Sequence, residues 1–340
     1  MSKKKIKLSL MQQVYNILTG MQAFGESRYQ AKRDGTARKK IFSFGTFVLY
    51  KRLCGYFVRY IRKNYPEVST LLKAKKYLNE YLGSLVEQGY SPNYIKTIQS
   101  ALNKLYQIKP DDPDRFVAPP CLRSNIKNNR PGTRKSNNFS LTKNADLVHF
   151  AQSVGLRRSE FKRIRGRDLY TKDQIEAIVQ QMEVQKRPLK EDEKVKLEAF
   201  KLALEFQEED YFVFVKRGKG GRIRLAPIIG PHKEQTIERM RNTAPDERVW
   251  PRIPSAATIH AFRADYAEAL YKKYARPIES IPYDKYNKGI GYWYQGDVYV
   301  CRRDLKGLRL DRRAMQFASW ALGHKRVSVV AGHYLYNLES

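Results

Sequence analysis

Apolar residues recur at helical spacing through most of the first 110 positions. Leu10, Val14, Ile17 and Leu18 fall on one face of a short helix within residues 1–20. Phe47, Tyr50, Leu53, Cys54, Phe57 and Ile61 do the same from Ser43 to about Lys63, and Pro66 ends that run. A further helix is predicted from Leu71 to about Gln88, stopping near Gly89. Ser91 followed by Pro92 is a helix start, an N-cap and then proline at the first helical position. The helix it opens carries Ile95, Ile98, Ala101, Leu102 and Leu105 and ends by Pro110. Residues 25–40 are polar and basic with glycines, and read as a loop suited to lie along a phosphate backbone.

Beyond position 140 the pattern becomes mixed. Thr142 is placed to cap a helix from Lys143 to about Val154, with Leu147, Val148 and Phe150 apolar. Gly155 ends it, and Ser159 or its neighbours begin another. Residues 171–209 predict two highly charged helices broken near Pro188, with no chemistry assigned to them. Tyr211–Val215 is a strand by its β-branched and aromatic run, and Arg222–Ile228 is the return strand. The turn between them puts Lys219 at the tip of a β-hairpin; its Gly-Lys-Gly lacks the rest of a nucleotide-binding P-loop. A helix is expected from Pro254 to about Ala275, with His260 and Arg263 sharing a face. Residues 276–312 are aromatic, Gly-rich and basic. Leu310–Leu322 reads as a helix that Gly323 stops. The expected fold is mainly α with a small β-sheet or hairpin. The expected organisation is a helical domain over 1–122, a polar, basic, Pro-Gly linker over 123–140, and a second domain over 141–340.

Charge narrows the partner. Of 340 residues, 65 are Lys or Arg against 34 Asp or Glu, a formal charge of +31 spread along the chain. A nucleic-acid backbone is the simplest acidic partner, and an anionic membrane surface is the other. No apolar run approaches the ~18 residues of a membrane span. The basic N-terminus is not followed by the apolar core of a signal peptide. Three scattered cysteines suggest neither a disulfide framework nor a zinc site. A cytoplasmic, DNA-associated protein without a membrane role, cofactor or metal is expected.

Candidate chemistry gathers near the end of the sequence. The chain has only five histidines, and His324 and His333 lie within residues 321–336 with Tyr334 and Tyr336. A tyrosine hydroxyl near histidines and arginines is what nucleophilic attack on a phosphodiester needs. With 23 tyrosines in the chain, packing on a terminal helix is the competing reading of either one. Arg157, at the turn before a helix, is set either to bind a phosphate or to pair with Glu160.

The order Arg157, Lys219, His260-x-x-Arg263, Leu322-Gly323-His324 and then a tyrosine resembles the tyrosine recombinase (phage-type integrase) family over roughly residues 140–336. Gly155-Leu-Arg-Arg-Ser-Glu160 is similar to that family's first arginine box, and the preceding helical domain to its core-binding domain. The resemblance implies a site-specific recombinase that cleaves and rejoins duplex DNA through a 3′-phosphotyrosine. Its implied catalytic set is Arg157, Lys219, His260, Arg263, His324 and Tyr334. It also implies a homotetramer on two DNA sites and accessory DNA-bending or directionality proteins as partners. The chain departs from the family in two ways. Segments 171–209 and 276–312 are longer than a minimal member needs. The family's usual nucleophile position, nine residues after the last histidine, is His333 here, with Tyr334 one further on. Tyr334 is preferred to Tyr336, with Gly332 absorbing the extra residue. Alternatives are a type IB topoisomerase-like relaxation of supercoils and a non-cleaving DNA-binding accessory protein of the same fold.

Overall fold

In a computed structural model, residues 8–122, 138–185, 187–218, 221–283, 296–302 and 305–335 are described. The linker segment expected over 123–140 lies mostly outside them. The chain divides into two compact units, 1–125 and 126–340.

Short side-chain hydroxyls start most helices of the first unit. Ser9, Ser27, Ser43, Thr70 and Ser91 each accept a hydrogen bond from the backbone N–H three residues on. They open α1 (Leu10–Thr19), α2 (Arg28–Arg33), α3 (Phe44–Asn64), α4 (Leu71–Ala74) and α6 (Pro92–Leu105). Between α4 and α6 lies α5 (Leu78–Glu87). The core draws Leu10, Val14 and Leu18 from α1, Leu53, Phe57 and Ile61 from α3, and Ile95, Ile98 and Leu102 from α6. Three expectations are corrected. Ile17 is exposed, because three apolar residues already fill the buried face of α1. Residues 25–40 are not all loop, since Ser27 caps α2 and a 3₁₀ turn follows at Ala37–Lys39. The helix expected over 71–88 is broken by a 3₁₀ turn at Lys75–Tyr77.

The second unit contains α7 (Ala145–Val154), α8 (Arg158–Phe161), β1 (Leu169–Thr171), α9 (Lys172–Val184), α10 (Glu191–Leu204), β2 (Tyr211–Val215), β3 (Arg224–Pro227), α11 (Lys233–Arg241), α12 (Ile259–Tyr274), β4 (Val298–Val300), β5 (Arg309–Asp311), α13 (Arg312–Ala321) and α14 (Ser328–His333). The fold is mainly α with small antiparallel sheets. One sheet has the order β1-β2-β3, with Leu169 opposite Val213 and Val215 opposite Arg224; the other pairs β4 with β5.

Strand β2 explains the layering. Phe212 and Phe214 enter a core shared with α10, α12, α13 and α14, while Val213 and Val215 enter one shared with α7, α11 and Trp250. Alternate residues point to opposite faces, so a strand buried on both must be apolar throughout. Each buried phenylalanine contributes about 1.5–3 kcal/mol. Helix α12 is likewise buried nearly all round, and this carries Arg263 into the interior.

Several boundaries differ from the sequence reading. Thr142 caps no helix: Thr142–Asn144 form a 3₁₀ turn and α7 begins after it. Strands β1, β4 and β5 are three residues each, too short for a period to register. Helix α12 starts at Ile259 rather than near Pro254, and α13 at Arg312, where the Asp311 side chain caps it by accepting from the Arg313 N–H.

Gly155 ends α7 in the left-handed region with φ of 56°, and a Cβ there would overlap the Tyr266 ring. Gly155→Ala is expected to lower unfolding free energy by about 2–4 kcal/mol in urea denaturation. Gly230 has a similar φ of 88° with open space around it, and its alanine variant should lose only about 1–2 kcal/mol. Equal losses at the two positions would contradict the overlap.

Candidate active site

The site begins with one carboxylate. Glu160, the third residue of α8, is 2% exposed. Its Oε2 accepts from the Arg157 backbone N–H at 2.8 Å and so caps the short helix. Its Oε1 accepts from Arg157 Nη1 at 2.8 Å. Arg224 of β3 donates to both oxygens, at 3.1 and 2.8 Å, and Arg263 Nη1 stands 3.9 Å from Oε2. Burial alone would raise the Glu160 pKa. Arg224, the Arg157 N–H and Arg263 outweigh it and bring the carboxyl down to about 2.

The same arginines hold the end of α13. Its last carbonyls have no partner within the helix and carry the negative end of its dipole. Arg224 Nε donates to Ala321 O at 2.8 Å, Arg157 Nη2 to Leu322 O at 3.2 Å, and Arg222 Nη1 to Gly323 O at 2.8 Å. Arg263 Nη2 also donates to Leu322 O, and its Nη1 to Gly155 O. Arg263 is 0% exposed. Burial lowers its pKa to about 10, so it remains a cation at neutral pH.

Gly323, with φ of 68°, turns the chain after α13. His324 follows, fixed by its backbone N–H to Ser319 O at 2.8 Å. The imidazole Nε2 lies 3.3 Å from Tyr334 Oη. Burial, then Arg263, Arg157, Arg224 and Arg222, lower the His324 pKa to about 3. Its ring is therefore neutral at physiological pH.

Tyr334 follows α14, which Val330 and Ala331 anchor in the core. The tyrosine is 3% exposed. Besides His324, its hydroxyl accepts from Arg263 Nε at 3.3 Å. The His260 ring, at the start of α12, has its centroid 5.3 Å from that of Tyr334. His260 itself is exposed. Together with Arg157 it lines a cavity of about 590 Å³ whose walls include Ser159, Lys162, Ala257 and Ile259.

Arg157, His260, Arg263, His324 and Tyr334 are thus brought to one place, although 177 positions separate the first from the last. Lys219 and Tyr336 lie outside the described residues. Gly218, next to Lys219, is described: a Cβ on it would stand 3.1 Å from Arg224 Nη1 and 3.3 Å from Glu160 Oε1. Sequence reasoning missed Arg224 and Arg222, and treated Glu160 only as a rival partner for Arg157. No local signal marked Arg224: an arginine alternating with apolar residues reads as the solvent side of a strand, whereas β3 is buried on both faces.

Among the described residues, no group of three or more His, Cys, Asp or Glu side chains could hold a metal ion, and no helix is long and apolar enough to cross a membrane.

No family model matches the chain, and no curated protein matches it. Among solved structures, the crystal structure of XerA recombinase is similar to it at 13% identity, over 97% of this chain and 94% of that chain, with a TM-score of 0.27. A likeness that weak carries nothing about chemistry, which rests on this chain's own side chains.

The depressed His324 pKa has a measurable consequence. The unfolded histidine binds its proton near 6.5 and the folded one near 3. Between those values the unfolded chain holds more protons, so this contribution is intact above pH 6.5 and is lost as pH falls. Glu160 acts in the same direction but only between 4.5 and about 2. The window from pH 6.5 to 4.5 therefore separates His324 from Glu160. His324→Asn should flatten the fall of the urea midpoint across that window. Parallel losses in the two proteins would show that His324 is not held neutral.

Proposed function

We propose that this chain is a DNA strand transferase that breaks and rejoins a phosphodiester through Tyr334, as a site-specific recombinase. One observation carries the reading. The Tyr334 hydroxyl lies 3.3 Å from both Arg263 Nε and His324 Nε2, within a cluster of buried guanidiniums. A packing tyrosine needs no such surroundings. A nucleophile that attacks an anion needs them, because the transition state gathers charge on the non-bridging oxygens.

Tyr334 Oη attacks phosphorus while its proton passes to His260. The bond from phosphorus to the 5′ oxygen breaks, and that oxygen takes a proton from Lys219. The product is a 3′-phosphotyrosine and a free 5′ hydroxyl. Attack by the 5′ hydroxyl of another strand reverses the chemistry and releases Tyr334. Arg157 and Arg263 hold the non-bridging oxygens, and guanidinium remains charged throughout. Neutral His324 donates a hydrogen bond to the same oxygens.

Arg263 is fully buried and already donates to Tyr334, Gly155 and Leu322. The reading therefore requires the tyrosine hydroxyl to move off Nε when a phosphate arrives. Arg157, with 19% of its side chain exposed, is the arginine already within reach of solvent.

Residues 1–122 serve in this reading as a DNA-binding domain joined by the 123–140 linker to the catalytic domain over 141–340. Lys51, Arg52, Arg59, Arg62 and Lys63 are exposed on α3, where they suit sequence-independent phosphate contacts. A homotetramer on two DNA sites would complete the exchange.

Three outcomes test the proposal. Tyr334→Phe should bind duplex DNA normally and give no covalent protein–DNA band on a suicide substrate; a band from that variant, or a phosphotyrosyl peptide mapped to Tyr336, overturns the assignment. Wild-type cleavage should persist in EDTA, and loss restored by magnesium would reject cleavage by these side chains alone. Affinity should fall with salt, the log–log slope steepening by roughly 0.9 per phosphate neutralised; a salt-independent affinity contradicts phosphate contact.

A further inference from the structure

Arg224 has no part in the steps above, yet it is 4% exposed and joins the carboxylate of the site's frame to the end of α13. It takes both oxygens of Glu160 and holds Ala321 O. Two glycines make room for it. A Cβ on Gly323 would stand 3.0 Å from Arg224 Cδ, and one on Gly218 would stand 3.1 Å from its Nη1. The side chain therefore runs between the turn that leads into Lys219 and the turn that leads into His324.

We infer that Arg224 is a positioning residue that keeps Glu160 from neutralising Arg157 and Arg263, an inference that rests on the proposed strand-transfer reading. Each oxygen of Glu160 already accepts two hydrogen bonds, one from Arg157 and one from Arg224. Arg157 is thereby limited to one guanidinium contact with the carboxylate, and Arg263 is kept 3.9 Å away. Three guanidiniums against one carboxylate leave two positive charges at the site. Removing Arg224 leaves one, and opens two acceptor positions on a buried carboxylate. Arg157 then closes on Glu160 as a bidentate pair and Arg263 moves in, because an unsatisfied buried charge recruits the nearest partner. Both guanidiniums would be turned from phosphate without either residue being changed.

Loss of Arg224 should be rescued by removing the charge it balances. The double variant Arg224→Met with Glu160→Gln returns the site to two positive charges, and Gln keeps an acceptor for Arg157. Replacing a buried ion pair by neutral groups of similar volume is often tolerated, whereas removing one member is not.

The test compares wild type, Arg224→Met, Arg224→Lys, Glu160→Gln and the double variant. Readouts are the single-turnover rate of covalent-complex formation on a suicide DNA duplex, affinity for the uncut duplex, and melting temperature. Arg224→Met should slow covalent-complex formation about 100-fold while duplex affinity changes less than about threefold. Arg224→Lys keeps the charge but cannot hold two carboxylate oxygens and Ala321 O together, so it should fall between. The double variant should regain at least about tenfold of the lost rate. The inference is overturned if Arg224→Met cleaves within about threefold of wild type, or if the double variant is no faster than Arg224→Met. Should Arg224→Met fail to fold, Arg224→Lys with and without Glu160→Gln gives the same comparison. A wild-type chain that binds the duplex but never forms the covalent complex would sink the strand-transfer reading instead. Melting temperature then decides the charge balance: Glu160→Gln must raise that of the Arg224 variant, and a further drop overturns it.

Discussion

Like charges do not collect in a protein interior without a reason, and the second unit is built around one such collection. Two unit charges about 4 Å apart interact by about 4 kcal/mol even at an effective dielectric constant near 20. Arg157, Arg224 and Arg263 are held together against that repulsion by the Glu160 carboxylate and by the carbonyls ending α13. Each contributor comes from a different element: Glu160 from α8, Arg224 from β3, Arg263 from α12 and the carbonyls from α13. The sheet and both cores of this unit serve to bring those four to one point. Removing one member of such a buried set typically costs about 3–5 kcal/mol, because the remaining charges lose their compensation.

The field that assembles the frame also sets the state of its neighbours. Arginines on several sides, added to burial, keep His324 neutral and able to donate a single hydrogen bond. The Tyr334 hydroxyl stands 3.3 Å from both Arg263 Nε and His324 Nε2.

Much of the helical frame was legible because its signals are local. Ser43 before an apolar period and Ser91 before Pro92 mark helix starts, and Gly155 and Gly323 mark ends, through chemistry contained in a few residues. The strand Tyr211–Val215 was equally plain. What escaped was set by tertiary packing. Three-residue strands have no measurable period, and the break at Lys75–Tyr77 interrupts a continuous apolar pattern without glycine or proline. At the site, residue types that carry chemistry stood out one by one. Arg224 did not, because an arginine in a basic hairpin looks like surface until Glu160 and Ala321 are found beside it.

The carbonyls that compensate these arginines belong to residues 321–323, while the arginines begin at position 157. A ribosome making ~5–20 residues per second therefore exposes Arg157 roughly 8–33 seconds, and Arg263 only roughly 3–12 seconds, before those acceptors. Until residues 321–323 emerge, the arginines already made have Glu160 but not these carbonyls, next to a polyanionic ribosome. Tyr334 emerges later still. In the proposed reading, a chain stalled between residues 263 and 334 therefore carries these arginines without the hydroxyl that would act beside them.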